Sequence, residues 1–419
     1  MSKLKSLIVI IILALLVWLL VPVYGFYAHK GDLPYWQDAT FHLPESLPQQ
    51  QTTYLVQYAN SAKQAMALLH QQQQRINSPA ISAAVAIDGQ LIWAGASGYA
   101  DLACQCSATT ATQFRIGSTS KALTATALAQ LVADKMIDLD APLSYYFNPI
   151  ANPAWQSVTA RQLASHTSGL PHYKNNTDLI GLYKSIALNE QFDDVTDALE
   201  LFDSSELLFK PGTQFSYSSY GTVLLSALMQ QVSGSTYLDV MQQRVFSPLL
   251  MDATQAESQS NKTPNQATFY WQNASQSHLL RPWRSVNLSH RLAAGGFLST
   301  PSDLVKLGSA YLNPHYLSDE IKSLFWTPQK LANGQVNEQN YALGWRVGEA
   351  ALAAPLGKTK FIHHGGVSRG SQSLLIVLPK YKTAIAININ TNTEVFWDFG
   401  KISLQLAEIF LNNHSAAIN

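Results

Sequence analysis

Charge is scarce in this chain of 419 residues: only 13% are Asp, Glu, Lys or Arg, and 27 cations balance 27 anions. Soluble domains ordinarily carry roughly twice that charged share, so Gln, Ser, Thr and Asn must supply much of the polar surface. Without a cationic excess, the electrostatic footprint of a nucleic-acid binder is missing. Two cysteines in so long a chain exclude a fold built on disulfides. Disorder is excluded by hydrophobic residues at 47%, ample for a large core. Long apolar runs are also lacking, save one at the N-terminus, which excludes a membrane protein of many spans.

That one run follows Lys3 and Lys5, extends from Leu7 to Val21, and continues through Pro22 to Tyr27. Cations ahead of an apolar run keep the N-terminus in the cytoplasm. The strictly apolar part is shorter than the ~20 residues a spanning helix prefers, but counted to Tyr27 the segment is long enough. Trp18, Tyr24 and Tyr27 suit the outer interface. No small-x-small cleavage site follows and no cysteine offers a lipid attachment point, which favours an uncleaved anchor at 1–27 over a cleaved signal peptide. The expected location is the inner (cytoplasmic) membrane, single-pass, with the body on the exported, periplasmic or extracellular side. Secretion after cleavage is the alternative.

Residues 28–52 read as a linker, rich in Pro, Gln and Asp, and 53–412 as the body, followed by a tail at 413–419. Leu55, Tyr58, Ala62, Met66 and Leu69 give helical spacing over Tyr54–Arg75. A β-hairpin follows, Ile81–Ile87 and Gln90–Gly98 across Asp88-Gly89. From about Gln113 to Pro328 the apolar stretches are mostly helical in period, and strands return near Leu343–Val347, Lys360–Gly365, Ser373–Leu378 and Thr383–Ile389. A last helix is expected from Phe396 to Leu411. Strands at both ends with helices between imply an α/β fold of the α+β type. Its antiparallel sheet would draw on about 80–105 and 340–412, flanked by helices, with a large helical insertion at about 113–330.

Three segments could carry chemistry. Ser118 and Lys121 are three residues apart at the start of a helical run, so the amine can reach the hydroxyl. A serine is a poor nucleophile until something takes its proton, and a neutral lysine can do so. Tyr217 follows the turn Pro211-Gly212 and precedes a helix, where the helix N-terminus can lower a phenol's pKa and make it a base. His363 and His364 fall on a strand, facing opposite sides, so only one serves a given site; Gly365 and Gly366 then let a ligand approach the backbone.

These segments occur in the order found in the serine β-lactamase and penicillin-binding-protein superfamily. The chain resembles its class C-like branch of serine hydrolases, which includes the mitochondrial β-lactamase-like proteins of eukaryotes. Ser118 to Lys121 is similar to the S-x-x-K motif. Tyr217 matches Y-x-N with Ser219 in place of Asn, and His363 to Gly365 matches an H-x-G strand. Leu163–Pro171, Ala294–Asp303 and Leu343–Arg346 are family-like stretches between and around them, so the likeness runs from about Ser78 to Ala407. Tyr173-Lys-Asn175 and Tyr311-Leu-Asn313 also fit Y-x-N but lack the Pro-Gly turn before and the helix after.

The resemblance implies two-step acyl transfer. Ser118 attacks an amide, ester, peptide or β-lactam carbonyl, Tyr217 and Lys121 share the proton work, and the N–H groups of Ser118 and Gly366 hold the oxyanion. Ser219 is a shorter donor than Asn and weakens the case for penicillin-like substrates. His363 in place of a lysine implies activity that varies between about pH 5.5 and 8. The expected partner is a small acyl or peptide substrate, cell-wall fragments included; no metal or organic cofactor is implied, and oligomeric state stays open. A catalytically idle sensor or scaffold at the membrane is the alternative function. Cys104 and Cys106, two apart, are not expected to meet disulfide geometry. The resemblance implies that His166 and His172 are structural or support the catalytic residues from behind, and Asp193-Asp194 is expected to start a helix.

Overall fold

Strand-forming stretches from the two ends of the chain meet in one antiparallel sheet. The computed structural model describes every residue except 1, 30, 31, 35–38, 261, 274, 275 and 419. Parts of the expected linker (30, 31 and 35–38) and residue 419 of the expected tail therefore lie outside the described residues. The N-terminal elements are helix α1 (Ser2–His29), strand β1 (Gln49–Thr53), helix α2 (Ala59–Arg75) and strands β2 (Ala80–Ile87) and β3 (Gln90–Asp101). The middle of the chain supplies helices α3 (Ser120–Ala133), α4 (Ser219–Ser233) and α5 (Pro301–Ala310). Strands β4 (Arg346–Leu352), β5 (Gly357–Ser368), β6 (Ser371–Leu378) and β7 (Thr383–Ile389) and helix α6 (Ile402–Ile418) complete the body.

The sheet order is β1-β3-β2-β7-β6-β5-β4. The β2–β7 pair, with Ile81 opposite Ile389 and Ile87 opposite Thr383, joins the two ends of the chain. Asp88 and Gly89, at φ 49° and 78°, make the β2–β3 turn. Two positive φ values in succession match a type I′ turn, the connection suited to strand twist.

Period-two alternation sorts the sheet into two faces. Ala84, Ala86, Leu375, Val377, Ala384 and Ala386 belong to the core shared with the helical region. Ile81, Val85, Leu374, Ile376, Ile385 and Ile387 belong to a second core with the terminal helices α2 and α6. The alanine-rich face lets α5 come close. A Cβ added to Gly308 on that helix would lie 3.0 Å from both Ala384 Cβ and Val377 Cγ2. Between the ends, the chain folds into the helical insertion expected. It also contains two small sheets: Phe114–Arg115 with Phe297–Ser299 and Gln255–Ala256, and the hairpin Tyr270–Asn273 with Gln276–Pro282.

Helix α1 would rise about 42 Å over its length, enough to cross a bilayer's ~30 Å hydrocarbon core, and none of its most apolar stretch is buried in the protein. Its C-terminal end touches the body, where Arg281 Nη2 donates to the Ala28 carbonyl at 2.9 Å and the Phe26 ring lies 4.8 Å from the Arg369 guanidinium. Cys104 and Cys106 are joined as a disulfide, contrary to expectation. The chain between them is a turn and not extended strand: Gln105 has φ 53°, which folds the two Cα atoms to 5.2 Å, inside the usual range for a disulfide.

Candidate active site

Every residue from Thr112 to Ala129 is buried except Ser118. The run around Lys121 is Ala-rich and apolar on all sides, which is the composition of a helix enclosed by its neighbours. Ser118 occupies the single 3-10 turn Gly117–Thr119 that leads into α3. That turn presses on β5: Gly117 has φ 50°, and a Cβ there would lie 2.6 Å from the Val367 carbonyl oxygen. Glycine alone has both the conformation and the clearance.

One turn along α3, Lys121 is 2% exposed. Its Nζ lies 3.3 Å from Ser118 Oγ, 3.1 Å from Ser219 Oγ and 2.9 Å from the Ala294 carbonyl. Burial, followed by the like charges of Arg291 and Arg346, holds the amine well below its ordinary value. A neutral amine has two donors and one lone pair. The Ala294 carbonyl and Ser219 take the two donors, and the lone pair is left for the Ser118 hydroxyl.

Tyr217 lies on the loop before α4, whose N-cap is Ser218. Its ring centre is 4.9 Å from Lys121 Nζ, 4.2 Å from the His166 ring and 6.2 Å from the Tyr341 ring. This enclosure raises the phenol's pKa, with a hydrogen-bonding interaction from Ser118 and the charge of Arg346 pulling the other way. One edge of Tyr217 still reaches solvent, which tempers the effect of burial without reversing it. The expected fall in the phenol's pKa is therefore corrected: the rings packed around it outweigh the helix N-terminus, and Tyr217 is a neutral phenol.

The two histidines of β5 do face opposite sides, and the expected one is on the far side. His363 stacks with Phe361 at 4.9 Å and Trp397 at 5.8 Å, and a Cβ on Gly365 would meet Phe396. His364 faces inward, with Nε2 2.8 Å from the Tyr341 hydroxyl and Nδ1 2.8 Å from the Gly365 carbonyl. Because a carbonyl only accepts, Nδ1 carries the proton and Nε2 accepts from Tyr341. Gly366 shares this inner face, where an added Cβ would lie 1.8 Å from the Ile116 carbonyl oxygen and 2.8 Å from Thr119 N. His363 is held down to about 4 by burial and Arg346, and burial holds His364 well below its ordinary value. Both stay neutral across pH 5.5–8, so the histidine-driven activity change expected in that window is withdrawn.

Ser118 opens into a cavity of about 290 Å³ whose walls include His172, Ser219, Arg291, Val367 and Arg369. His172 and His166 accept backbone N–H groups from the start of α4, Ser219 N to His172 Nδ1 and Ser218 N to His166 Nδ1, each at 3.3 Å. Both rings thus hold the start of α4 beside Tyr217, and His172 also forms part of the cavity wall. Among the described residues no cluster of three His, Cys, Asp or Glu side chains suited to a metal ion is found.

The sequence model of the Beta-lactamase family matches residues 65–406. The chain belongs to this family. It is 29% identical over 411 residues to the Homo sapiens serine beta-lactamase-like protein LACTB, mitochondrial, covering 79% of this chain and 74% of that one. It is 26% identical over 341 residues to Protein flp of Staphylococcus aureus, covering 80% of this chain and 64% of the relative. Similar solved structures include the octameric penicillin-binding protein homologue of Pyrococcus abyssi, with TM-score 0.67 and 21% identity over 84% of this chain and 77% of that chain. D-amino acid amidase from Ochrobactrum anthropi SV3 has TM-score 0.67 at 21% identity, covering 86% of this chain and 99% of that chain. At such identities the structures establish the shared fold.

Membership supports serine hydrolase chemistry of the amidase or peptidase kind. Several residues of the site escaped the sequence reading. His364 stood beside the residue chosen, and Tyr341 preceded the Leu343–Arg346 stretch by two positions. Arg291 preceded Ala294-Gly295-Gly296 by three, and Arg369 followed Gly366 by three. Proximity to the motifs was the available signal; nothing local marked Arg291 and Arg369 as lining the cavity or His364 and Tyr341 as buried behind it.

Proposed function

We propose that this protein is an exported, membrane-tethered serine hydrolase that forms an acyl-enzyme on Ser118. The observation that carries the reading is a lone accessible serine in an otherwise buried run, 3.3 Å from an amine whose pKa burial has lowered. Lys121, neutral, takes the Ser118 proton as Oγ attacks the carbonyl of an amide, ester or peptide. The N–H groups of Ser118 and Gly366 face the oxyanion. The neutral Tyr217 phenol gives a proton to the leaving group and recovers one from Lys121, and water then releases the acid from Ser118. The family's breadth and the D-amino acid amidase likeness both favour amides and peptides, and Ser219 in place of Asn argues against efficient β-lactam turnover. Cell-wall fragments are one source of such substrates. The apolar α1 and a disulfide, which persists in oxidising compartments, support placing the body outside the cytoplasm.

Fluorophosphonate labelling followed by peptide mapping tests this directly, with a fluorescent penicillin in parallel. The adduct is expected on Ser118 and absent from Ser118→Ala, which should lose turnover and keep its unfolding temperature. A Ser118→Ala protein that still hydrolyses esters, or a wild type that neither probe labels, would mean an idle sensor.

A further inference from the structure

Helix α1 does not hang free of the body; its end is seated on it. Lys3 and Lys5 precede its apolar run, and a ~30 Å hydrocarbon core at 1.5 Å per residue takes about 20 residues. Counted from Ser6, these end at Gly25. Phe26, stacked on Arg369, and Ala28, bonded by Arg281, therefore fall at the outer edge of that core. Ala28 is fully buried there.

The helix Leu179–Ala187 packs beside α1. Gly181 presses it onto the body, where an added Cβ would lie 1.8 Å from the Leu201 carbonyl oxygen. Arg284 holds its last turn, donating to the Ile186 and Ala187 carbonyls at 3.2 and 3.0 Å. Its first two residues are turned outward, Leu179 at 76% and Ile180 at 72% exposure. Two adjacent aliphatic side chains left this open continue the apolar surface that α1 presents to lipid.

The surroundings have the makeup of an interfacial belt, aromatic rings paired with cations. Tyr24 and Tyr27 of α1 are exposed, Trp271 lies 4.1 Å from the Arg281 guanidinium, and Trp283 lies 5.6 Å from that of Arg369. No Asp or Glu occurs between Glu257 and Asp303, the stretch that supplies Arg281 and Arg284, so it adds no charge that anionic headgroups would repel. The same elements reach the Ser118 cavity. Arg369, under Phe26, is part of the cavity wall. From the neighbouring helix, Ser185 Oγ lies 2.7 Å from the Tyr220 hydroxyl, and the Tyr220 ring packs at 5.1 Å on Tyr173, another wall residue. Val367 of the same wall is exposed, an apolar side chain at the rim.

We propose that the body rests on the bilayer with Leu179 and Ile180 inserted among the lipids, and that the Ser118 cavity takes its substrate from that surface. The substrate is then an amphiphile whose ester or amide carbonyl lies just outside the hydrocarbon core. A cavity of about 290 Å³ is at the small end of ligand sites, so it holds a head-sized group and no long chain. The tail lies outside it, along the rim at Val367 and the end of α1. The inference rests on the reading of a tethered serine hydrolase, and its test separates the two.

The full-length protein is reconstituted in vesicles of equal parts phosphatidylcholine and phosphatidylglycerol. With nitrobenzoxadiazole attached to Ile180→Cys, doxyl-labelled phosphatidylcholine is expected to quench the label, whose emission should shift to the blue. On the unlabelled wild type, p-nitrophenyl decanoate carried in the vesicles should exceed water-soluble p-nitrophenyl butyrate in kcat/KM by about tenfold or more. Leu179→Asn combined with Ile180→Asn should lower that ratio by about tenfold and leave butyrate turnover unchanged; both positions are exposed, so the fold survives the change. An unquenched label, a ratio near one, or a ratio that the Asn pair leaves in place overturns the proposal. So does a wild-type dimer that the Asn pair separates, since the face would then serve a second copy. Failure of both esters together with an unlabelled Ser118 would instead sink the hydrolase reading, and a mature chain whose mass lacks α1 would sink the tether; the label at 180 still reports whether the body rests on the bilayer.

Discussion

Replacing Lys121 with Arg separates a proton acceptor from a fixed charge. The amine is enclosed, hydrogen-bonded to Ser219 and the Ala294 carbonyl, and faced by Arg291 and Arg346. Those surroundings favour its neutral form, which can accept the Ser118 proton. Arginine at this position stays protonated at any working pH, so the charge survives and the base does not. General-base assistance is worth ~10²–10⁴ in rate. The expected loss in kcat/KM is therefore about 10³-fold, or ~4 kcal/mol of transition-state stabilisation. The pH profile gives the sign. A base whose pKa lies below its ordinary value is active above that lowered pKa, and activity falls about tenfold per unit as pH drops through it. Wild type should show this acid limb well under pH 10.5, and Lys121→Arg should lack it.

Ester hydrolysis and the rate of fluorophosphonate adduct formation on Ser118 are both suitable assays. Lys121→Met serves as the control for folding. It removes a desolvated amine, which stabilises, and leaves Ser219 and the Ala294 carbonyl without their partner, which costs about 1–3 kcal/mol. These effects oppose each other, so its unfolding temperature should stay near that of wild type while activity falls as in Lys121→Arg. An arginine variant within tenfold of wild type, with its acid limb intact, would refute the assignment of Lys121 as the base.

Tyr217→Phe is expected to slow amide hydrolysis by about 10²-fold or more while p-nitrophenyl ester turnover falls less than about tenfold, because a nitrophenolate leaves without a proton. Equal losses on both substrates would remove Tyr217 from leaving-group protonation. Glu257→Gln strands the Arg115 cation, whose ion pair is only 7% and 6% exposed on its two sides, and should cost about 3–5 kcal/mol in urea unfolding. A loss under 1 kcal/mol would contradict that. His166, His290 and His364 are each 3% exposed or less and are held well below their ordinary value chiefly by burial. The unfolded chain takes up protons at these positions that the folded one refuses, so stability rises with pH and is lost as pH falls below ~6.5, at up to about 4 kcal/mol per unit for the three together. Unfolding free energies equal at pH 7 and 5 would show these histidines to be protonated in the fold.

Much of the body was legible because its signals are local. Asp88-Gly89 fixes a turn wherever it stands between alternating strands, and β7 runs over the residues its alternation implied, Thr383–Ile389. Three-residue spacing likewise brought Ser118 and Lys121 together. What could not be read depends on packing between distant segments. The inward face of β5 is decided by Gly366 pressing on Ile116 and Thr119, and neither contact leaves a mark in His363-His364. The first residues expected in β4 instead pack on α3, with Gly344 at φ 73° and its missing Cβ 2.4 Å from Ala125 Cβ, so the strand begins at Arg346. The rings that raise the Tyr217 phenol come from positions 166 and 341. The disulfide turned on the backbone of Gln105.

Placement of charge connects these findings. The body has few ionic groups, yet Arg291, Arg346 and Arg369 act on or line one small cavity, and no Asp or Glu is among the residues that line it. A carboxylate beside Lys121 would stabilise the fold and, by the same interaction, restore the proton that disables the amine. Excess positive charge does the reverse: it favours the neutral base. A substrate that brings an anion into the cavity would raise the Lys121 pKa, a coupling measurable as a shift of the acid limb to higher pH in kcat relative to kcat/KM. That shift should be missing for a neutral ester. An acid limb that stays in place for both kinds of substrate would mean that the arginines and the amine do not sense the same ligand.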